Sequence, residues 1–365
     1  MNPKISILAP SFNHEKFVGF FIESVLAQTF SDFECIIVDD CSSDRNVEEI
    51  QKYKDARIKL VRQPYNQGIN ASLNTAFENA SGEYLVFCAT DDMLKSNALE
   101  VLYSALEKNP DAKVIYPRLI QIDKDNQITK QIGFLKNIKK QTREEMLHHL
   151  FMRGNCLTSP GMSLKKQDFK EILYPLDMSL VNLQDVQMHI KLLLAGEIIL
   201  LDDALILYRF DASTSNISTK TLTTAKREEV EKYKLLDTFL EIKHIAGGGL
   251  ELLTQIFSRE INTYSIKPRL ETIKYFLGRM ALLSPEESHR VWGYRQIMES
   301  YSTKEGAKKL KELYNFEFKD YLKLIEATLE FKTMYKYKKY KRAFNVALVV
   351  LLCLLFVIIF LLVKG

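Results

Sequence analysis

Between Lys4 and Tyr116, short apolar runs of strand length alternate with segments of helical period, and this alternation does most to narrow the fold. Residues 4–9 (KISILA) read as a strand, after which Phe17, Phe20, Phe21, Val25 and Leu26 recur at helical spacing. Strand signals return at 33–38, 58–61, 84–88 and 114–116, separated by helical stretches at 47–53, 71–79 and 97–108. A β-α-β-α order requires crossover connections. It predicts an α/β protein with a doubly wound, mostly parallel sheet whose loops gather at the strand C-termini, where open α/β sheets bind their ligands.

Those loops carry acids. Pro10, Ser11 and Asn13 follow the first strand, Asp39 and Asp40 the second, and the run YLVFCATDDM ends the fourth in Asp91 and Asp92. The loop with Asn66, Gly68 and Asn70 opens the helix at 71–79. Taken alone, Asp91-Asp92 reads equally as a helix cap or as a site. Neither G-x-G-x-x-G nor G-x-x-x-x-G-K-[ST] is present, so the usual glycine-rich phosphate cradles are excluded. A carboxylate-lined site repels a diphosphate unless a hard divalent cation bridges the two, which makes manganese or magnesium the expected cofactor.

A net charge of +4 is too weak to argue for a nucleic-acid partner. The five cysteines are scattered without C-x-x-C spacing, which points to a reducing compartment, and the N-terminal apolar run is too short for a signal peptide. Residues 344–363 (FNVALVVLLCLLFVIIFLLV) have the length and composition of one transmembrane helix. Lys332, Lys336, Lys338, Lys339, Lys341 and Arg342, interleaved with tyrosines, precede it. Basic flanks stay cytoplasmic, so the expectation is a single-pass C-terminal anchor in contact with membrane lipids and a catalytic domain facing the cytoplasm.

The runs APSFNHEKFVGFFIESVLAQTFSDFECIIVDDCSSD and NQGINASLNTAFENASGEYLVFCATDDM resemble the nucleotide-sugar half of the inverting family 2 glycosyltransferases, which have the GT-A fold. PGMSLKK, LQDVQMHIKLLLAGEIILL and LYRFDASTS are similar to their acceptor half. The resemblance covers residues 1–215, divided at 117/118, and leaves a helical region at 216–343. It implies that Pro10, Ser11 and Asn13 shape a nucleotide pocket together with Asn66 and Gly68, that Asp39 reads the base, most often uracil, and that Asp40 supports that loop. Asp92 would then be the metal ligand on the diphosphate and Asp91 would face the ribose or donor sugar. Thr90 stands where the family often has a further acid.

Asp185 precedes Val186, Ile190, Leu193 and Leu194, which turn one helix face to the core and leave the acid at a pocket edge. The resemblance makes it the catalytic base; the alternative is an N-cap. Gln184 replaces the usual Glu before it, and Lys191 a frequent Arg. The family's YR-x-H-x-x-S becomes Tyr208, Arg209, Phe210, Asp211, Ala212, Ser213. Asp211 is therefore a candidate metal ligand or an Asx-turn residue. Arg209 either balances the diphosphate or pairs with Asp202 or Asp203. The six histidines lack metal-ligand spacing and read as surface or core residues.

Beyond 215, helices are expected at 222–245, 250–264, from Ser284-Pro285 onward, and at 320–342. Two function classes follow. One is a membrane-tethered inverting hexosyl- or N-acetylhexosaminyl-transferase that uses a UDP-sugar and extends a lipid-linked or cell-surface glycan. The other is a non-catalytic adaptor that keeps the fold and uses its helical region to recruit partners to the membrane; that region is also a candidate contact for an oligomer. A processive synthase would need several spans.

Overall fold

The computed structural model describes residues 2–132, 141–210 and 221–328. Five short strands and four helices alternate first: β1 (Ile5–Ser11), α1 (Val18–Leu26), β2 (Phe33–Asp39), α2 (Asn46–Gln51), β3 (Ile58–Arg62), α3 (Ile69–Asn79), β4 (Tyr84–Phe87), β5 (Met93–Leu94) and α4 (Ala98–Lys108). Next come β6 (Val114–Ile122), β7 (Ile128–Ile132), α5 (Arg143–Arg153), β8 (Ser163–Lys165), the short α6 (Lys166–Asp168), α7 (Gln184–Ala195) and β9 (Ile198–Arg209).

All nine strands form one sheet in the order β3-β2-β1-β4-β8-β6-β9-β5, with β7 on β6. The β3-β2-β1-β4 half is parallel, as the alternation predicts. The other half corrects the mostly parallel expectation, because β8 lies antiparallel between β4 and β6, and β5 and β7 are antiparallel to β9 and β6. Since β6 and β9 pair in parallel, β3, β2, β1, β4, β6 and β9 still share one direction, and their C-terminal ends form one rim.

The strand alternation explains the layering, because successive side chains point to opposite faces. Ile7, Ile37 and Val86 pack on one face with Phe21 and Val25 of α1 and Leu99 and Leu102 of α4. Leu8, Ile36 and Leu85 pack on the other with Phe77 of α3, Phe151 of α5 and Ile190 of α7. Gly82 lets the chain enter β4 against β1, since a Cβ there would lie 2.7 Å from the Ser6 backbone nitrogen.

The C-terminal helices are α8 (Leu222–Thr238), α9 (Gly249–Ile256), α10 (Ser258–Tyr264), α11 (Ile273–Ala281), α12 (Glu287–Tyr301), α13 (Lys304–Tyr314) and α14 (Phe318–Thr328). Much of this region joins the sheet core, where Leu235, Phe239, Phe257, Phe276 and Trp292 share the cluster that contains Leu8 and Ile36, while Tyr275, Ile297, Leu310 and Phe316 form a small cluster of their own. The helix expected over 222–245 ends at Thr238 and continues as a 3-10 turn, and the 250–264 helix breaks at Phe257. The helix expected to begin at Ser284-Pro285 starts at Glu287, and Ser284 instead accepts the Glu286 N–H and donates to the Met152 carbonyl. Among the described residues no helix is long and apolar enough to cross a membrane. The span expected at 344–363 lies outside the described residues.

Candidate active site

The loops on the common rim are tied to one another by side-chain-to-backbone hydrogen bonds. After β1 the chain turns through Asn13, whose φ of 56° lies in the left-handed region that Asn tolerates. The Asn13 N–H donates to Ser42 Oγ at 2.9 Å and the Ser43 N–H donates back to Asn13 Oδ1 at 2.8 Å. Below this seam Asp39 is fully buried, with Oδ1 accepting from Asn46 Nδ2 at 2.8 Å and Oδ2 from the Ser42 N–H at 3.1 Å. Asp40 accepts the N–H groups of Gln67 and Gly68, both at 2.8 Å, and so fixes the turn before α3, where Gly68 has a φ of +87°. These bonds hold the turn before α3, not the loop after β2 that Asp40 was expected to support. Asn66 is exposed beside that turn.

At the end of β4, Thr90-Asp91-Asp92 forms a turn closed by the Asp92 N–H on the Ala89 carbonyl at 3.1 Å. The acids do not cap a helix: β5 follows at once and α4 begins only at Ala98. Thr90 Oγ1 donates to Ser11 Oγ at 2.6 Å and contacts His14 Nδ1 at 2.8 Å, and His14 Nε2 stands 3.9 Å from Asp91 Oδ2. The Asp91 side chain keeps 17% of its surface exposed, whereas Asp92 keeps 2%. Burial, and then the like charge of Asp91, push the Asp92 carboxyl well above the usual range.

Arg209 lies beneath this turn and departs from the expectation of a diphosphate contact. It is 1% exposed, its N–H donates to Asp92 Oδ1 at 2.8 Å, and its guanidinium donates to the Asp91 and Asp123 carbonyls and to Asn126 Oδ1. The Phe17 ring covers it, 4.4 Å from the guanidinium carbon. With three guanidinium N–H groups bonded inside the protein, Arg209 braces the acid turn. Its alternative partner Asp202 pairs with Arg118 at 2.8 Å. Asp211 lies outside the described residues.

Asp185 belongs to a second cluster. It is the second residue of α7, whose N-cap is Leu183, so it is not the cap. Its Oδ1 accepts the Val186 N–H at 2.8 Å, its side chain is 21% exposed, and burial lifts its pKa to about 6. The preceding loop is held from α8: the buried Glu231 carboxylate accepts the N–H groups of Val181, Asn182 and Leu183 at 3.0, 2.9 and 2.8 Å. Arg227 adds a bond to Asn182 Oδ1 at 3.0 Å. Asp177 and Leu176, earlier in the loop, are tied through their carbonyls to Asn70 and Asn74 of α3. Among the described residues no hydrogen bond joins Asp185 to the Asp91-Asp92 turn. The two clusters are built separately, one from β1, β2, β4 and β9, the other from α3, α7 and α8.

Sequence reasoning missed three members of these clusters. His14 and His189 read as surface or core histidines, and Glu231 as one charge on a charged helix. Only PSFNHE, placing His14 three residues past Ser11, carried a local signal.

Residues 6–173 match the family described as Glycosyl transferase family 2. Together with the relatives below, this match makes the chain a glycosyltransferase. The chain is similar to the Escherichia coli UDP-Glc:alpha-D-GlcNAc-diphosphoundecaprenol beta-1,3-glucosyltransferase WfgD, 29% identical over 237 residues, 65% of this chain and 87% of that protein. It is also similar to the putative teichuronic acid biosynthesis glycosyltransferase TuaG of Bacillus subtilis, 38% identical over 27% of this chain and 40% of that protein. The fold resembles that of S. aureus TarS 1-349, solved in complex with UDP-GlcNAc, at a TM-score of 0.54 and 19% identity, covering 89% of this chain and 91% of that one.

Proposed function

We propose that this glycosyltransferase moves a hexosyl or N-acetylhexosaminyl group from a UDP-sugar to a hydroxyl of a lipid-linked or cell-surface glycan, inverting the anomeric centre, at the cytoplasmic face of a membrane to which residues 344–363 tether it. One observation carries the reading: a braced turn at the end of β4 presents Asp91 to solvent above a buried Asp92. WfgD is named for a UDP-glucose donor and a diphosphoundecaprenol-linked acceptor, and TarS is solved with UDP-GlcNAc, both in line with this reading.

The acid pair fits a hard divalent cation. The buried Asp92, raised above the usual carboxylate range first by burial and then by the like charge of Asp91, would be stabilised in its charged form by a bound cation. Among the described residues no three His, Cys, Asp or Glu side chains converge as a metal cage. Magnesium-type ions take one or two carboxylates and fill the remaining positions with phosphate oxygens and water, and manganese or magnesium is the cation proposed here. Asp92 would hold the cation, which when bound supplies charge neutralisation to the leaving diphosphate, and Asp91 would face the ribose or donor sugar.

The chain's own residues do the rest. Asp39, Asp40 and Asn13 hold the β2 loop and the turn before α3 where the nucleoside would lie, and Ser11, Thr90 and His14 keep Asp91 in place. The acceptor hydroxyl attacks the anomeric carbon from the face opposite the diphosphate. A new C–O bond forms as the bond to UDP breaks, and Asp185 receives the hydroxyl proton. A pKa of about 6 leaves Asp185 ionised at neutral pH yet basic enough to take it. The adaptor alternative has no observation of its own in its favour.

The test is a panel of UDP-sugars, each assayed for nucleotide release with and without chelator. Chelator-sensitive release with one of them is expected, and no release or binding with any UDP-sugar overturns the donor assignment.

A further inference from the structure

Behind Asp185 stands a buried histidine that the proposed chemistry does not yet use. His189, one helical turn further along α7, is fully buried, and its Nδ1 lies 2.7 Å from the hydroxyl of Tyr116, a fully buried residue of β6. Its Nε2 has no hydrogen-bond partner and faces Asp185 Oδ2 at 4.0 Å. Buried polar nitrogens without a partner are uncommon and call for an explanation.

The proton inventory fixes the tautomer. If the Tyr116 hydroxyl donates to Nδ1, one buried donor is left over, the Nε2–H. If Nδ1–H donates to the Tyr116 oxygen, both the Tyr116 O–H and the Nε2 lone pair are left over. The first arrangement wastes less. Burial pushes His189 down to about 3, so the ring is neutral, and raises Tyr116 well above its ordinary value, so the phenol keeps its proton. Nε2 is then an N–H donor aimed at a carboxylate oxygen about 1 Å beyond hydrogen-bond reach.

We infer that His189 is a positioning residue for Asp185: held as the Nε2–H tautomer by Tyr116, it donates to Asp185 Oδ2 when the acceptor binds and turns the carboxylate's remaining lone pairs toward the attacking hydroxyl. The inference rests on Asp185 being the base. A small rotation of the carboxylate closes the gap while Oδ1 keeps the Val186 N–H. The new bond favours the charged form and draws the Asp185 pKa below the value it has with the gap open. Of the ionisable groups around α7, Cys156 lies near Tyr116, Glu231 and Arg227 on α8 are bonded to the 181–183 segment, and Arg143 on α5 is bonded to the Leu193 and Leu194 carbonyls at the far end of the helix. Lys170 and Glu171 on the adjoining turn are exposed.

The test uses the full chain. Two-dimensional 15N spectra of histidine-labelled protein, with His189→Gln as the assignment control, should show His189 as a neutral Nε2–H tautomer across neutral pH. In transfer assays with the UDP-sugar found by the panel, His189→Phe should move the acid limb of kcat upward by roughly one pH unit. His189→Gln, whose amide nitrogen sits near the Nε2 position, should restore most of the wild-type profile. A merely structural histidine would lower activity equally at all pH values, and the Gln variant would not restore the limb. An Nδ1–H tautomer, or an acid limb unmoved in a folded His189→Phe, overturns the inference. Should His189→Phe not fold, the tautomer and the His189→Gln profile still decide it. If Asp185→Asn keeps full transfer, the base assignment fails instead, whatever the tautomer.

Discussion

Glu231→Gln is the perturbation that best tests whether the helical region completes the active site. The change is isosteric, so it opens no cavity, and it acts on one carboxylate that accepts three backbone N–H groups directly before α7. An amide oxygen can serve two of the three and turns its NH2 group against the third. One hydrogen bond to a charged group is lost, about 1.5–3 kcal/mol, and a negative charge disappears from a helix N-terminus, about 0.3–1 kcal/mol. The sum is about 2–4 kcal/mol. At an unfolding entropy of about 2.1 cal/mol/K per residue over 365 residues, this corresponds to a fall in Tm of about 3–5 °C. Because the freed backbone carries Asp185, kcat for transfer should fall roughly 10- to 100-fold, as misplacing a catalytic group by about 1 Å does, with the donor KM unchanged. Differential scanning calorimetry and steady-state transfer assays measure both. A Glu231→Gln protein with wild-type Tm and kcat refutes the reasoning, and so does one that loses donor binding and transfer together, since that would mean the clamp holds the whole domain and not the base.

Other substitutions separate the two clusters. Asp185→Asn should retain donor binding by calorimetry while transfer falls by about 10²–10⁴-fold, the usual contribution of a general base. Asp92→Asn should abolish the chelator-sensitive part of UDP binding; tight cation-dependent binding by this variant would remove the metal assignment. Glu34 tests a structural acid. It is 3% exposed, and burial, which alone would raise its pKa, is overcome by Lys59, Ser6 and Ser81, which hold it at about 2. A folded pKa below the unfolded one means stability present above about pH 4.5 and lost as pH falls through about 2. The unfolding free energy of Glu34→Gln from urea titration should therefore lie below wild type at pH 7, by up to about 3 kcal/mol, and converge with it near pH 2.

The parallel half of the sheet was legible because each strand and helix there announces itself in its own residues: β4 is a continuous apolar run, β1 and β2 are mostly apolar, and α1 and α4 have clean helical period. The second half was not. Asp202-Asp203 interrupts β9 and β8 has three residues, so no periodic window marks these two, and of β6 only its first residues, 114–116, stood out. Breaks such as Phe257, where φ is −109°, come from packing between neighbouring helices and carry no glycine or proline signal.

The sequence by itself determined that a strand would end in Asp91-Asp92, that Asp39 and Asp40 would end another, and that Asp185 would open an amphipathic helix. Those facts depend on side-chain period within ten or so residues. The tertiary structure alone decided how the acids differ. It buried Asp92 on the backbone of Arg209, 117 residues away, left Asp91 open beside His14, and set Asp185 between His189 and a loop held by Glu231. Burial, and hydrogen bonds to groups brought near only by folding, set each carboxylate's charge and reach, and neither is encoded in local spacing.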